Sequence, residues 1–496
     1  MEPRWTSNQY INTWRRTVVL YDSAVLRGRL RSPPVAFVSS ASEWLLLLSR
    51  VQLTTIIVSL EDDNMKPSHF DTSMGRSRWL VVLPMVFMVY MLAYFDRVNI
   101  GMALPHMSAE LHLTPVEAGW IGGGFAWGYA LTQLLAGWLA LVLGPRRLIG
   151  ACLFLFGGAA MMTAFAQDFW QILGVRILLG AAEGPVYAAT SLLLAQWFIK
   201  AERGRAFGIW NLGAPLGGFL AGPISGALIA HHDWRIMLIV EGLPAWLFCL
   251  AWFKAIPKKI DMASWLSGTD REIIEKALHQ EQSDLQQPES DKWWTIFSDP
   301  AVWWLTIGFG LNTILLYGIT LWLPSIIKSY DQLSETMIGF VSGAPFVMTM
   351  FGIWYICRRS DRHGMERRWH AAIPTMASGL IVIAAAMVPA PLFWIQIILF
   401  LMMGFTLKML MPLIFARLTE ILPTRKTMPA VAFVSGVGNL IGQFLGPLLV
   451  GYIRSASHDY RTSLLFLGCC SLVGGIAIAF AKSRADKRVA VVEKTA

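Results

Sequence analysis

The chain has 496 residues, 55% of them hydrophobic and only 15% charged, against about 25% charged in soluble domains. Its five cysteines (Cys152, Cys249, Cys357, Cys469, Cys470) lie in or beside apolar runs without metal or disulfide spacing, so collagenous, disordered and disulfide-stapled classes are excluded. The net charge of +9 would suggest nucleic acid in a soluble protein, but here the basic residues fill short loops between apolar runs and mark membrane orientation instead. A span needs about 20 apolar residues, so twelve with short loops need on the order of 400 residues. Just over that many follow Trp79.

Residues 1–74 stand apart. They carry eight basic and seven acidic residues, and their best apolar run, Val35 to Leu60, is broken by Glu43 and Arg50. No compact apolar region with a cleavage site is present, so this is no secretory signal. Met74, followed by Gly-Arg-Ser-Arg-Trp and a clean span, reads as a natural start. The segment is therefore expected to be disordered, or an upstream extension from a misassigned start codon.

From there the apolar runs predict an all-α membrane protein with twelve transmembrane helices at about 79–103, 118–143, 148–166, 170–198, 206–230, 235–256, 300–328, 336–357, 371–389, 391–418, 427–453 and 462–482. Loops after even-numbered spans hold Arg146, Arg147, Lys200, Arg203, Arg205, Arg358, Arg359, Arg367, Arg368, Arg425 and Lys426, whereas 104–117 has no Lys or Arg. The bias predicts a multi-pass protein with both termini and the central loop in the cytoplasm. The chain divides into a six-helix half at 75–256, a linker at 257–299, a second six-helix half at 300–482 and a cytoplasmic tail at 483–496. Within the linker, Thr269-Asp270-Arg271-Glu272 fits a capping box opening a short amphipathic helix through Glu281.

The halves repeat one another. Gly213, Gly217, Gly222-Pro223 and Gly226 in the fifth span are echoed by Gly438, Gly442, Gly446-Pro447 and Gly451 in the eleventh. His232-Asp233-Trp234-Arg235 is echoed by His458-Asp459-Tyr460-Arg461. The Gly-Pro sites are 224 residues apart and the His-Asp-aromatic-Arg sites 226 apart. So large and constant an offset points to a duplicated six-helix unit with pseudo-symmetric halves, the plan of one large class of secondary transporters.

Ionisable residues inside spans are expensive and usually have a partner and a job. Asp96 and Arg97 lie late in the first span; Arg176 and Glu183 lie in the fourth, seven residues apart and so on one face. Two readings stand open: internal salt bridges that hold helices together, or a proton relay beside an anion site. In the second, an anion competing for an Arg favours protonation of the neighbouring carboxylate. Lys408 in the tenth span either faces an anion or snorkels to the cytoplasm. Glu241, near the outer end of the sixth, reads as a packing or interface residue, and Arg417 as topological. Tyr94, Tyr129, Gln133, Tyr317, Trp322, Ser435 and Asn439 complete a candidate midplane cavity drawn from both halves. The histidines at 106, 112, 231 and 232 lack spaced acidic or cysteine partners, so no metal site is expected. No nucleophile–base set or cofactor motif suggests an enzyme.

Several segments taken in order resemble the major facilitator superfamily, in particular its anion:cation symporter branch of galactonate-, hexuronate- and phthalate-type organic acid carriers. They are Tyr94-Phe95-Asp96-Arg97-Val98-Asn99-Ile100-Gly101, Ala182-Glu183-Gly184-Pro185, Trp197-Phe198 ahead of Arg203, Asp233-Trp234-Arg235, Glu241-Gly242-Leu243-Pro244, Trp322-Leu323-Pro324, Ser360-Asp361-Arg362 before Arg367-Arg368, and Gly438-Asn439-Leu440. The resemblance runs from Trp79 to Lys482. It implies the major facilitator fold and proton-coupled uptake of a small organic anion by a monomer in a bacterial inner membrane. Protons are the coupling ion and no cofactor is implied. It also implies protonation at Asp96 and Glu183, tuning by Arg176, and substrate contact by Arg97, Tyr94 and Tyr129.

Two departures qualify that. The superfamily's signature after the second span usually carries an Asp and an Arg, but Gly137-Trp-Leu-Ala-Leu141-Val142-Leu-Gly144-Pro-Arg146-Arg147 has apolar residues there, while Asp361 and Arg362 survive in the counterpart after the eighth. Loss of the first Asp is expected to weaken the latch on one access state and slow transport. A fifth-span Gln associated with sugar-acid binding is Ala214 here, which leaves room for a less hydroxylated acid. The alternatives are an efflux antiporter, suggested by Gly218-x-x-x-Gly222-Pro223-x-x-Gly226, and a transport-derived sensor. A sugar-phosphate exchanger is disfavoured by a seventh span, Ala301 to Ile327, without Arg or Lys.

Overall fold

The computed structural model of the chain describes residues 76–481 apart from 259, 273, 277–292, 331–332, 363–365 and 423. The proposed extension at 1–74, the end of the linker helix and the tail from 482 lie outside those residues. Among the described residues every regular element is helical and twelve helical stretches are long and apolar enough to cross a membrane. They run Ser77–Glu110, Pro115–Leu143, Pro145–Thr163, Phe169–Trp197, Glu202–His231, Trp234–Ala255, Pro300–Lys328, Glu335–Arg362, Arg368–Met387, Ala390–Ile421, Pro429–Ser457 and Arg461–Ala479. All twelve anticipated spans are present.

Their ends follow from local chemistry. The four leading N–H groups of a helix need acceptors, and short polar side chains before apolar runs supply them. Thr114 caps the second span with a full capping box: its hydroxyl accepts from the Glu117 amide at 3.2 Å while the Glu117 carboxylate accepts from the Thr114 amide at 2.8 Å. The repeated His-Asp-aromatic-Arg motif is the same device used twice. Asp233 accepts from the Ile236 amide at 2.7 Å and Asp459 from the Thr462 amide at 3.2 Å, opening the sixth and twelfth spans. The Thr462 amide also holds the Asp459 carboxyl below its usual range. The arginines that close the motif then tie each new span to the end of an earlier one. Arg235 donates to the Ala164 and Ala166 carbonyls at 2.7 and 2.8 Å, and Arg461 reaches the Met387 sulfur at 3.4 Å.

The expected capping box in the linker is displaced by two residues. Residues 268–272 and 274–276 are helical, and the cap is the Ser267 hydroxyl, which accepts from the Asp270 amide at 3.2 Å. Thr269 is already inside the helix. Capping at Ser267 starts the helix two residues earlier than the Thr-x-x-Glu spacing suggested.

The fourth, fifth and tenth spans are each two helices in series. The fourth breaks between Glu183 and Val186, where Gly184-Pro185 intervenes; Pro185 lacks an N–H and its ring crowds the preceding turn. The tenth breaks at Lys408-Met409, between Phe393–Leu407 and Leu410–Ile421. Both breaks fall beside the buried charges described below.

Within each half, small residues let backbones approach closely, as membrane packing favours. Between the halves, the close approaches gather towards the end remote from the basic loops. A Cβ at Gly101 would sit 2.8 Å from the Leu321 carbonyl, one at Gly119 2.9 Å from that of Pro447, and Gly222 and Gly339 meet backbone to backbone. Polar contacts also join the halves there: His106 of the first span lies 3.2 Å from the Glu335 carboxylate and 2.8 Å from Lys328 Nζ, which pairs with Glu335 at 2.7 Å. Towards the basic end a Cβ at Gly137, Gly204, Gly208 or Gly436 would meet nothing within 4 Å.

Candidate functional site: a charged interior in the first half

Five ionisable side chains gather in the interior of the first half: Asp96, Arg97, Arg176, Glu183 and Glu241; one more buried cation, Arg78, lies towards the basic end and pairs with Glu202 at 2.7 Å. Glu183 is fully buried, Asp96 is 3% exposed and Glu241 5%. The first and fourth spans bring two of them together. Arg97 Nε donates to Glu183 Oε2 at 2.6 Å. The other Glu183 oxygen, Oε1, is buried with no hydrogen-bond partner among the described residues. A buried carboxylate oxygen left bare is costly, and the site leaves it as the open end of the pair.

Aromatic faces hold the cations. The Arg97 guanidinium lies 4.6 Å from the Tyr129 ring centroid, 5.2 Å from Phe125 and 5.8 Å from Tyr94. Arg176 lies 5.3 Å from the centroid of the same Phe125 ring, and its Nε donates to the Ile121 carbonyl at 3.5 Å. Such stacking stabilises a desolvated cation without neutralising it. Seven residues apart, Arg176 and Glu183 are both buried, as the spacing required, yet the ion pair of Glu183 is with the first span's Arg97 and not with Arg176. Asp96, Glu183, Arg97 and Arg176 remain within electrostatic reach of one another.

The second half contributes one cation and several neutral groups. Lys408, at the break in the tenth span, donates to the Tyr94 hydroxyl at 2.6 Å and sits 4.4 Å from its ring. Of its two open readings, the structure has the inward one: Lys408 reaches across to the first half and does not snorkel. Tyr317 accepts from Gln443 Nε2 at 2.8 Å. Arg97, Arg176, Tyr317, Gln443 and Thr320 line one small cavity of about 30 Å³, the share of liquid volume of roughly one water.

Other expected cavity residues lie elsewhere. Trp322 donates to the Pro447 carbonyl at 3.0 Å and is buried against Tyr460; it lines a separate cavity of about 260 Å³ at the end remote from the basic loops. Proline's carbonyl four residues beyond Gln443 is an acceptor that the pattern of the seventh span alone does not reveal. Ser435 turns its hydroxyl back onto the Val431 carbonyl at 2.7 Å, and Gln133 and Asn439 are half-buried without a hydrogen bond to the charged cluster. Gln443 and Thr320 were missed. Gln443 carries a readable signal, an amide inside a Gly-rich apolar span, but the glycines around it served only to mark the repeat.

The two halves also differ at the basic end. Leu141 is 76% exposed. Arg146 donates to the backbone carbonyls of Ile256 and, at 2.7 Å, Phe253, and Arg147 is exposed. In the second half Asp361 pairs with Arg367 at 2.7 Å, and Arg367 continues to Glu420 at 3.2 Å, while Arg362 is exposed.

Known proteins place this architecture. The chain is 26% identical over 426 residues to a quinolone resistance transporter of Acinetobacter baumannii, covering 84% of this chain and 97% of that one. It is 27% identical over 415 residues to a putative tartrate transporter of Agrobacterium vitis, covering 82% and 94%. Its fold matches, with a TM-score of 0.68 and 15% identity over 81% of this chain and 96% of the other, the crystal structure of a bacterial homologue of the human lysosomal transporter Spinster in an inward-facing, unoccupied conformation. The family model of the Major Facilitator Superfamily matches residues 86–332 and 331–495. With twelve spans in two repeated halves and a match over nearly all of both, the chain belongs to the major facilitator superfamily.

Proposed function

We propose that the chain is a proton-coupled symporter that takes up a small organic anion by alternating access in the cytoplasmic membrane, with the basic loops and both termini inside. The observation that carries this reading is the Arg97–Glu183 pair, 2.6 Å long, with the second Glu183 oxygen bare. Breaking a buried pair leaves an uncompensated charge worth about 3–5 kcal/mol. An incoming carboxylate that takes Arg97 therefore leaves Glu183 without its cation in a dry interior, and the cheapest remedy is a proton on Glu183. Anion and proton then enter together as a neutral set, which is what permits the loaded protein to reorient. Asp96 stands beside Arg176 in the same role, and Arg176 tunes both carboxylates.

Tyr94 and Tyr129 flank the anion's seat at Arg97, and Lys408 supplies a second cation from the other half through its bond to Tyr94. A ligand held between Arg97 and Lys408 would draw the halves together, as a midplane site between repeats requires. With Lys and Arg inside, the close contacts at the remote end would lie on the outer side of the membrane. The relative named for tartrate supports a small hydroxy acid as substrate.

The test is uptake into proteoliposomes across a panel of tartrate, aldonates, uronates and aromatic acids with an imposed pH gradient. Accumulation driven by an alkaline interior is the expected result. A second reading, export in exchange for protons, is favoured by the relative named for quinolone resistance and by the Gly-Pro pattern of the fifth span. Quinolone expulsion driven by a proton gradient, with no organic acid accumulated, would establish it in place of symport.

A further inference from the structure

Glu241 lies outside the pair just described, and the sixth span's sequence marks it only as a packing residue. Its surroundings are those of a proton site. Both oxygens are engaged, and by neutral groups: Ser225 Oγ lies 2.7 Å from Oε1 and Asn99 Nδ2 donates to Oε2 at 3.0 Å. The same Asn99 amide reaches Asp96 Oδ1 at 3.4 Å, so one side chain bridges the two carboxylates. No cation pairs with Glu241 among the described residues, whereas Glu183 has Arg97 and Asp96 has Arg176 within electrostatic reach.

Pairing decides what this means. The first half holds Arg97 and Arg176 against three carboxylates, and Lys408 from the second half balances the total, but Lys408 lies against Tyr94 and pairs with no carboxylate among the described residues. A carboxylate without a cation of its own in a dry interior neutralises itself by taking a proton. Of the three, the one held by neutral donors alone is the cheapest to protonate. The site can hold either state without moving, because a hydroxyl both donates and accepts. Ser225 donates to the carboxylate, and accepts from the carboxylic acid when Oε1 carries the proton, while Asn99 continues to donate to Oε2. The sixth span, which carries Glu241, packs against the third, first and fifth; the first and fifth bring Asp96, Asn99 and Ser225 to it, and the third meets its neighbour Gly242 with Gly157 and Met161.

We propose that Glu241 is a third proton-binding carboxylate of the carrier, joined to Asp96 through Asn99 and holding a proton while Asp96 and Glu183 remain ionised against the two arginines. This deepens the symport reading and rests on it. Each proton that leaves Glu241 makes the next on Asp96 easier to keep, since two carboxylates sharing one amide repel each other when both are charged.

The test is proton counting on the full chain in proteoliposomes, with tartrate as the probe and wild type measured first. Glu241→Gln keeps the shape and can still bond Ser225 and Asn99. It is expected to lower the number of protons moved per anion by one, or to shift the pH at half-maximal uptake, while downhill exchange survives. An unchanged proton count together with an unchanged pH profile overturns the proposal and leaves the symport reading intact. Wild type that moves tartrate with no protons at all overturns both. Should the variant fail to fold, Ser225→Ala carries the test: losing the hydroxyl acceptor should move the uptake midpoint, and an unmoved midpoint overturns the proposal.

Discussion

The two halves share a fold and differ in what they bury. The first holds two arginines and three carboxylates in its interior; at the corresponding depth the second holds Lys408 and a set of neutral groups. Its buried polar contacts join helices to one another: Asn312 donates to Ser471 at 3.2 Å, Thr313 to the Gly438 carbonyl at 2.7 Å, and Ser471 to the Thr375 carbonyl at 2.9 Å. Duplication supplied one frame twice, and the halves then took different work. A buried neutral hydrogen bond contributes on the order of 1 kcal/mol and is indifferent to pH. A buried carboxylate–arginine pair is costly to break and sensitive to protons. A carrier needs both, and separating them lets the charged half change state while the neutral half keeps its packing.

The largest expected effect breaks the charged half directly. Glu183→Gln and Asp96→Asn should each abolish gradient-driven accumulation in proteoliposomes, bringing the inside-to-outside ratio to about one; full uphill uptake by either would remove these carboxylates from the coupling. Next is Arg97→Gln, which leaves Glu183 buried without its cation. It should cost about 3–5 kcal/mol of stability near neutral pH, read as a lowered melting temperature in detergent. The deficit should shrink as pH falls, because a protonated Glu183 no longer needs a cation; a pH-independent deficit would mean that packing, not charge, was lost.

Smaller effects sharpen the contrast from the other side. Lys408→Gln should weaken anion binding several-fold while leaving protons per anion unchanged, since the cation that it removes pairs with no carboxylate. Asn312→Ala should cost about 1 kcal/mol with no change in the pH profile of uptake. If its pH profile moves, the second half is not neutral in function. Smallest in stability is Asp361→Asn at the basic end. Asp361 is 62% exposed, so its pair with Arg367 should contribute under about 1 kcal/mol, yet loss of the surviving latch should slow uptake. The first half already lacks that latch at Leu141.

Much of this was legible in the residues. Asp96, Arg97, Arg176 and Glu183 announce themselves because a charge in an apolar run needs a reason. The caps are equally local, since Asp233 and Asp459 stand just ahead of apolar runs and accept from amides of the first turn; the break at Gly184-Pro185 is not, because Gly222-Pro223 and Gly446-Pro447 lie inside continuous helices. Trp322, Ser435 and Gln133 were misplaced for one reason. A polar or aromatic residue in a span has several faces available, and helical periodicity does not say which neighbour each face meets. Trp322 found a proline carbonyl 125 residues away, and Ser435 found its own helix.

The sequence by itself determined the twelve spans, the duplicated halves, the sidedness of the basic loops and which residues would be costly inside. These depend on runs and spacings within one segment, where the energetics of lipid and backbone leave few choices. Only the tertiary structure decided that Glu183 pairs with Arg97, 86 residues away, that Lys408 crosses to Tyr94, and that Asn99 bridges Asp96 to Glu241. Each of those contacts depends on how far two helices are rotated and slid against each other. That is set by close packing at glycines such as Gly180 and Gly217 within the first half and Gly222 between the halves, a property of the assembled interior that no single segment contains.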